Sequence, residues 1–255
     1  MNYIAWIRYI GTDFCGFQFQ PNARTVQGTL TEASAAVFGC PCHVTGCSRT
    51  DSGVHAMEFC ALIEPDAPDA PIIPPAKLPL AYAAVLPPDL AVLSAATAPA
   101  GFHPRYSAVG KEYRYRIDRS PVPDPFLVHR SWHRGGALPA VYLARMQDTA
   151  SVLIGRQDFC ACMASGSTVT DTVRTVHFLT VSEEGNSLWI DICADGFLYN
   201  MVRIIVGTLW ETALGRCTPD DIRQALKKKD RALLGQTAPP DGLYLWRVFY
   251  DRSFA

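Results

Sequence analysis

The chain has 255 residues, of which 49% are hydrophobic and 18% are charged, so it can bury a sizeable core and is not intrinsically disordered. Its 23 basic and 24 acidic side chains give a formal net charge of -1, whereas nucleic-acid-binding domains are typically basic. Any RNA-binding function must therefore depend on local clusters of positive charge or on the assembly of several chains.

The first half of the chain combines short apolar strands with one amphipathic helix. Aromatic and branched residues predict strands over residues 3–10, around Val44, and over residues 57–63 and 90–98. Apolar residues at spacings of three and four predict a helix over residues 26–38, with the stripe Val26, Leu30, Ala33 and Val37. Five prolines between residues 65 and 75 predict a loop or an internal linker.

The second half begins with a strand over residues 111–118, where charged residues alternate strictly with aromatic or aliphatic ones. The pattern then predicts a helix over residues 138–153 and a strand pair over residues 169–181 and 187–194, with a turn at Gly185. The longest helical pattern covers residues 197–214. A short helix over residues 220–229, capped by Thr218, and a closing strand over residues 243–250 complete the chain.

This order of elements predicts the fold class. Strand-rich segments with interspersed helices favour an α+β fold of two similar subdomains with largely antiparallel sheets. We place the boundary near residue 105, which gives an N-terminal subdomain of residues 1–105 and a C-terminal subdomain of residues 106–255. The two halves show no detectable repetition of sequence.

Nine cysteines is a high number for this length. The first residues contain neither a basic region nor a long apolar run, and no window reaches the roughly 18 apolar residues of a membrane-spanning helix. We therefore expect a cytoplasmic protein with reduced thiols and no membrane partner. The pairs Cys40/Cys42 and Cys160/Cys162 lack the spacing of zinc sites, so we interpret them as small buried hydrophobes and expect no metal.

The segment with the most chemistry is residues 46–56, which read GCSRTDSGVHA. Arg49, Thr50, Asp51 and His55 stand here between glycines, without a periodic apolar pattern, which predicts a loop that presents its side chains. The segment resembles the G-x-G-R-T-D-x-G-V-H-A signature of the TruA family of tRNA pseudouridine synthases. That resemblance makes Asp51 the catalytic aspartate.

Six further segments resemble motifs of the same family and occur in the same order. They are YIGTDFCGFQFQ at residues 9–20, TVQG at 25–28, FHPRYS with KEYRY between 102 and 115, GFLYNMVR at 196–203 and APPDGL at 238–243. Ile10, Cys47, Ser48 and Ser52 depart from the family pattern, but none of these departures removes a group that the chemistry requires. The resemblance implies that the two subdomains join around a central catalytic cleft.

The resemblance also assigns roles to residues of the second half. Arg203, which stands within an apolar run, corresponds to the arginine that pairs with the catalytic aspartate, and Tyr113 to the ring that stacks on the target uracil. Arg49 corresponds to the residue that intrudes where the base leaves its stack. The remaining candidate substrate-binding residues are Leu198, Arg24, Arg105 and Lys111.

Each residue also has an ordinary structural interpretation. An Asp beside an Arg in a loop is commonly a surface ion pair worth about 0–1 kcal/mol, and an Arg at a helix rim commonly extends its charge into solvent. Tyr113 and Tyr115 are also typical strand aromatics. Even with the family role, Asp51 acts either as a nucleophile at ribose C1′ or as a base at C2′.

The resemblance implies a tRNA pseudouridine synthase that acts in the anticodon stem-loop, around positions 38 to 40, as a homodimer and without a cofactor. Two other classes of function stay open at this point. The chain could be a tRNA-binding protein or RNA chaperone without turnover, or a hydrolase that uses Asp51 to cleave the N-glycosidic bond and release free uracil.

Overall fold

In the computed structural model, which describes residues 1–251, the chain divides after Val109 into two units. The first contains Met1–Val109 together with the described residues from Tyr244 onward, and the second contains Gly110–Leu243. The sequence placed the closing strand in the second subdomain. It groups with the first because its residues Tyr244 and Leu245 pair in parallel with an N-terminal strand.

The first unit is a sheet with two helices. Its elements are β1 (Tyr3–Tyr9), α1 (Val26–Phe38), β2 (Cys42–Gly46), β3 (His55–Pro65), α2 (Leu78–Ala83), β4 (Leu90–Thr97) and the closing strand β10 (Leu243–Phe249). The strand order is β4-β1-β3-β10, with β2 also pairing with β3. All of these pairs are antiparallel except β3 with β10.

The second unit has the same mixture of elements. They are β5 (Gly110–Asp118), β6 (Trp132–His133), α3 (Tyr142–Val152), β7 (Gly155–Asp158), β8 (Val173–Glu184), β9 (Ser187–Ala194), α4 (Met201–Ala213) and α5 (Pro219–Lys228). The antiparallel order is β5-β9-β8-β7, and the two-residue strand β6 pairs in parallel with β5. The α+β prediction with largely antiparallel sheets is confirmed.

Local sequence signals account for the boundaries of the helices. Thr25 caps α1 by accepting a hydrogen bond from the Gly28 amide, and Gly39 ends it in the left-handed conformation at φ 66°. Thr218 caps α5, as the sequence indicated, and forms a capping box with Asp221 that the sequence analysis did not predict. The helix predicted from residue 197 begins only at Met201, because Asn200 adopts a left-handed φ of 58°.

None of the helices within residues 1–251 is long and apolar enough to span a membrane. All nine cysteines lie in this described part of the chain, and none forms a disulfide. Cys42, Cys47, Cys60, Cys162 and Cys193 are buried. The interpretation of the two cysteine pairs as small buried hydrophobes therefore holds for Cys42 and Cys162, whereas Cys40 and Cys160 are half-buried.

A close backbone approach fixes the segment that follows α5 against helix α4. A Cβ at Gly207 would lie 1.8 Å from the carbonyl oxygen of Gln236, so only glycine allows this approach. The Gly235 amide donates to Thr208 Oγ1 at 3.1 Å, and the Ala238 amide donates to the Arg203 carbonyl at 3.0 Å. The segment therefore lies along the same helix that carries Arg203.

We predict that Gly207→Ala destabilises the protein, although glycine-to-alanine exchange in a helix interior ordinarily adds about 1 kcal/mol of stability. The new methyl group must displace the backbone at Gln236, and such overpacking typically costs about 1–3 kcal/mol. Urea unfolding curves of the two proteins measure the difference. An increase in the free energy of unfolding would contradict the close approach.

Candidate active site

The loop that carries Asp51 leaves the sheet where β3 changes its partner. Strand β2 ends with Gly46 opposite Ala61, and strand β10 begins its pairing with β3 at His55 and Ala56. The Cys47 amide still donates to the Cys60 carbonyl of β3 at 2.9 Å, but residues 48–54 belong to no strand. They are free of the regular ladder, and the first unit must hold them by other contacts.

Backbone hydrogen bonds from the N-terminal segment hold this loop. The Phe17 amide donates to the Thr50 carbonyl at 3.1 Å, and the Gly53 amide donates to the Phe14 carbonyl at 3.3 Å. The Ser52 hydroxyl donates to the same Phe14 carbonyl at 3.3 Å. We call residues 9–17 the cradle, because they contact the loop on both sides of Asp51.

Two buried side chains add further links between the loop and the cradle. The hydroxyls of Tyr9 and Thr50 are 2.8 Å apart, and the Gly11 amide donates to His55 Nδ1 at 3.0 Å. The His55 ring is 1% exposed and stacks on Tyr244 with ring centroids 4.7 Å apart. Thr50 and His55 therefore act as scaffold for the loop.

Two glycines of the cradle make room for the loop. A Cβ at Gly11 would lie 2.0 Å from the Val54 carbonyl oxygen. At Gly16, where φ is +83°, a Cβ would lie 2.7 Å from the Thr50 carbonyl oxygen. Any larger residue at either position must push the loop away, and Gly16 also needs a backbone conformation that other residues rarely adopt.

The candidate site residues of the first unit differ in solvent exposure and in ion pairing. Asp51 is half-buried in the loop, whereas Arg49 and Arg105 are exposed. Arg24 makes a two-pronged ion pair with Asp89 at 2.7 and 2.8 Å, and these hydrogen bonds raise the pKa of its guanidinium. Its charge is therefore partly satisfied within the protein, unlike that of an arginine displayed to solvent.

The second unit contains the other candidates. Tyr113 is buried on β5, and its ring meets Phe197 edge-on with centroids 5.0 Å apart. Leu198 is buried before α4, and Lys111 is half-buried near the start of β5. The ring of Phe197 thus fixes the orientation of Tyr113 within this unit.

Arg203, in the first turn of α4, is held by reciprocal hydrogen bonds. Its Nε donates to the Ala238 carbonyl at 2.7 Å, while its own carbonyl accepts from the Ala238 amide. Its Nη1 donates to Asn200 Oδ1 at 2.8 Å. These two oxygens hold the guanidinium in place within the second unit, and its expected pairing with a carboxylate stays a prediction.

Sequence reasoning missed the residues that position the loop. Tyr9, Gly11 and Gly16 belong to the YIGTDFCGFQFQ motif, which served only as a family marker, yet they bind the Asp51 loop directly. The sequence did contain a signal for these contacts, namely two glycines in a segment without a helical or strand pattern. Within residues 1–251, no group of three or more His, Cys, Asp or Glu side chains is arranged to hold a metal ion.

Comparisons with known proteins identify the family of the chain. A family model described as tRNA pseudouridine synthase matches residues 5–107 and 149–251. The tRNA pseudouridine synthase A of Thermoanaerobacter sp. (strain X514) is 43% identical over 249 residues, which cover 98% of this chain and 99% of that protein. The enzyme of the same name from Bacillus subtilis (strain 168) is 43% identical over 247 residues, covering 96% and 97%.

One solved structure is distantly similar. A chain titled "Crystal Structure of a Cbf5-Nop10-Gar1 Complex" matches 82% of this chain and 44% of its own length, with a TM-score of 0.36 and 12% identity. The family assignment depends on the sequence relatives instead. The chain belongs to the tRNA pseudouridine synthase family. Members of this family are isomerases, so the chain is placed in that class of enzyme.

We predict that Gly16→Ala lowers pseudouridine formation on a tRNA transcript by at least about tenfold, because the methyl group displaces the loop at Thr50. Gly39→Ala is the matched control, since Gly39 also has a positive φ but would place its Cβ in open space. Both variants place an alanine at a positive φ, so they carry similar backbone strain. Equal activities of the two variants would therefore contradict the role of the cradle. Turnover is measured together with a thermal unfolding curve.

Proposed function

We propose that this chain isomerises uridine to pseudouridine in the anticodon stem-loop of tRNA, around positions 38 to 40. The family and the names of its relatives support the reaction, and the resemblance of the site motifs supports the location. The observation that carries the proposal is a half-buried Asp51 on a loop that the cradle holds from both sides. A carboxylate fixed in this way is prepared for one defined reaction geometry.

The chemistry requires a carboxylate and little else. The bond between ribose C1′ and N1 of the base breaks, the uracil turns, and a new bond forms between C1′ and C5. C5 then loses its proton and N1 gains one, so the composition of the nucleotide is unchanged. The reaction changes neither the oxidation state nor the composition of the nucleotide, so we propose that no cofactor takes part. Asp51 acts at the ribose in its ionised form, either as nucleophile at C1′ or as base at C2′.

We propose supporting roles for three further residues. Arg203 supplies the positive charge that keeps the Asp51 carboxylate ionised, since an opposite charge favours the charged form. Its reciprocal bonds with Ala238 support this role because they set the direction of the guanidinium. Tyr113 offers its ring to the extruded uracil, and Arg49, which is exposed at the tip of the loop, occupies the space that the base leaves.

We also propose the wider setting of the reaction. Leu198, Arg24, Arg105 and Lys111 contribute to substrate binding, with exposed Arg105 better placed for phosphate contact than ion-paired Arg24. A homodimer would gather positive charge that a single chain of net charge -1 lacks. The reduced cysteines support a cytoplasmic location, where tRNA is present.

We predict that Asp51→Asn abolishes pseudouridine formation, with a loss of at least about a thousandfold, and leaves tRNA binding intact. Asn keeps the shape of the side chain and removes the charge that the chemistry uses. The assay is tritium release or mass spectrometry on an unmodified tRNA transcript. Asp69→Asn, at an exposed loop position of the same unit, is the matched control and should keep full activity.

Labelled uridine in the transcript distinguishes the competing functions. An isomerase converts the label to pseudouridine within the RNA chain, whereas an N-glycosidic hydrolase releases free uracil. A binding protein without turnover does neither. Undiminished pseudouridine formation by Asp51→Asn would refute the assignment of Asp51.

A further inference from the structure

A rigid turn over residues 102–107 lies in the first unit, after strand β4. The His103 amide donates to Ser107 Oγ at 3.1 Å, and the Ser107 amide donates back to the His103 carbonyl at 2.9 Å. The amides of Arg105 and Tyr106 both donate to His103 Nδ1, at 3.1 and 3.3 Å. The backbone donors of the turn are thus satisfied internally, which fixes its conformation without help from a ligand.

The side chain of Tyr250 holds this turn in place. Its hydroxyl donates to the Pro104 carbonyl at 2.8 Å, and its ring packs on Phe102 with centroids 5.1 Å apart. Burial and the neighbouring Cys60 thiol raise the pKa of the same hydroxyl. The Cys60 carbonyl accepts from the Cys47 amide at 2.9 Å, at the start of the Asp51 loop. Tyr250 therefore bonds to the turn and neighbours the residue that bonds to the base of the Asp51 loop.

The turn displays two flat groups to solvent. Tyr106 is 76% exposed. The centroid of the His103 ring lies 4.3 Å from that of Tyr106 at an interplanar angle of 34°, and the Arg105 guanidinium lies 5.6 Å from the Tyr106 centroid. The Tyr106 ring therefore packs against its own turn while most of its surface stays exposed.

We infer that the 102–107 turn is a binding platform for an unpaired nucleotide of the RNA substrate, in which a base stacks on Tyr106 and Arg105 contacts the adjoining phosphate. An exposed aromatic ring beside a guanidinium matches the two parts of a nucleotide, its flat base and its charged backbone. The inference rests on the proposed function. It adds Tyr106 as a substrate-binding residue and gives Arg105 a defined partner.

The anchoring by Tyr250 favours RNA over a protein partner as the occupant. Because Tyr250 bonds to the turn and neighbours Cys60, which bonds to the start of the Asp51 loop, the turn and the loop lie near each other within the first unit. A nucleotide held on Tyr106 would help to set which uridine reaches the carboxylate. A ring that docked on another protein would gain nothing from this proximity.

The test compares Tyr106→Ala with Tyr106→Phe, both introduced into the Asp51→Asn protein so that tRNA binding is measured without turnover. Loss of the stacking ring should raise the Kd for tRNA by about tenfold, whereas the Phe variant keeps the ring and should bind within about twofold of its parent. Phe126→Ala is the matched control, because it removes an 84% exposed ring from the other unit and should leave the Kd unchanged.

The salt dependence of binding separates the two groups. Arg105→Gln should reduce the slope of log Kd against log salt concentration by about 0.7 to 0.9, as expected for the loss of one phosphate contact. Tyr106→Ala should weaken binding without changing that slope, because stacking involves no counterion release. An unchanged slope for Arg105→Gln would overturn the phosphate contact.

Two outcomes would overturn the platform. One is an unchanged Kd for Tyr106→Ala, and the other is a change in oligomeric state with unchanged tRNA affinity, which would assign the ring to contact with a second copy. Wild-type pseudouridine formation is measured in parallel. An active wild type together with an unaffected Tyr106→Ala refutes the platform alone and leaves the proposed function in place.

Discussion

The packing of the cradle against the Asp51 loop is the interaction on which the rest of the site depends. The loop leaves the sheet between two partners of β3, so no regular ladder holds it. The cradle supplies what the ladder does not: backbone bonds to Thr50 and Gly53, and buried polar bonds to Thr50 and His55. Gly11 and Gly16 bring the two backbones close enough for these bonds to form.

In the second unit, a glycine likewise allows a close backbone approach beside Arg203. Gly207 lets the backbone at Gln236 lie against helix α4, and Ala238 then exchanges hydrogen bonds with Arg203. In each unit, glycines without room for a side chain let a second backbone segment approach and hold the polar residue or its loop. Such precision is consistent with catalysis by positioning, in which small displacements of a reacting group are costly. These glycines are therefore part of the functional apparatus, although they contribute no chemical group.

Much of the fold could be predicted from the sequence, because its elements carry strong local signals. Helix α1 and the strand pair β8 and β9 follow from periodicity, and the Thr218 cap of α5 is visible in its residues. The elements and boundaries that the sequence did not predict have weak local signals. Helix α2 has six residues and a proline in its first turn, and β7 is a polar strand of four residues. The start of α4 depends on the left-handed backbone of Asn200, which periodicity does not report.

The candidate site was predictable only in part. Motif resemblance pointed to Asp51, Tyr113 and Arg203, but most of the contacts that hold the Asp51 loop, Tyr113 and Arg203 join positions at least 35 residues apart in sequence. Such pairings arise from strand register and backbone approach, which a single sequence does not specify. The closing strand was assigned to the second subdomain for the same reason, since its parallel pairing with β3 has no local signal.

Hydrogen exchange of the free protein tests most directly whether the cradle fixes the Asp51 loop before substrate binds. The account predicts that the amides of Gly11, Phe17 and Gly53 exchange nearly as slowly as those of strand β1, because each donates a hydrogen bond between the cradle and the loop. Exchange as fast as that of the exposed loop amide of Asp69 would show that the loop is not held in advance, and would contradict the account.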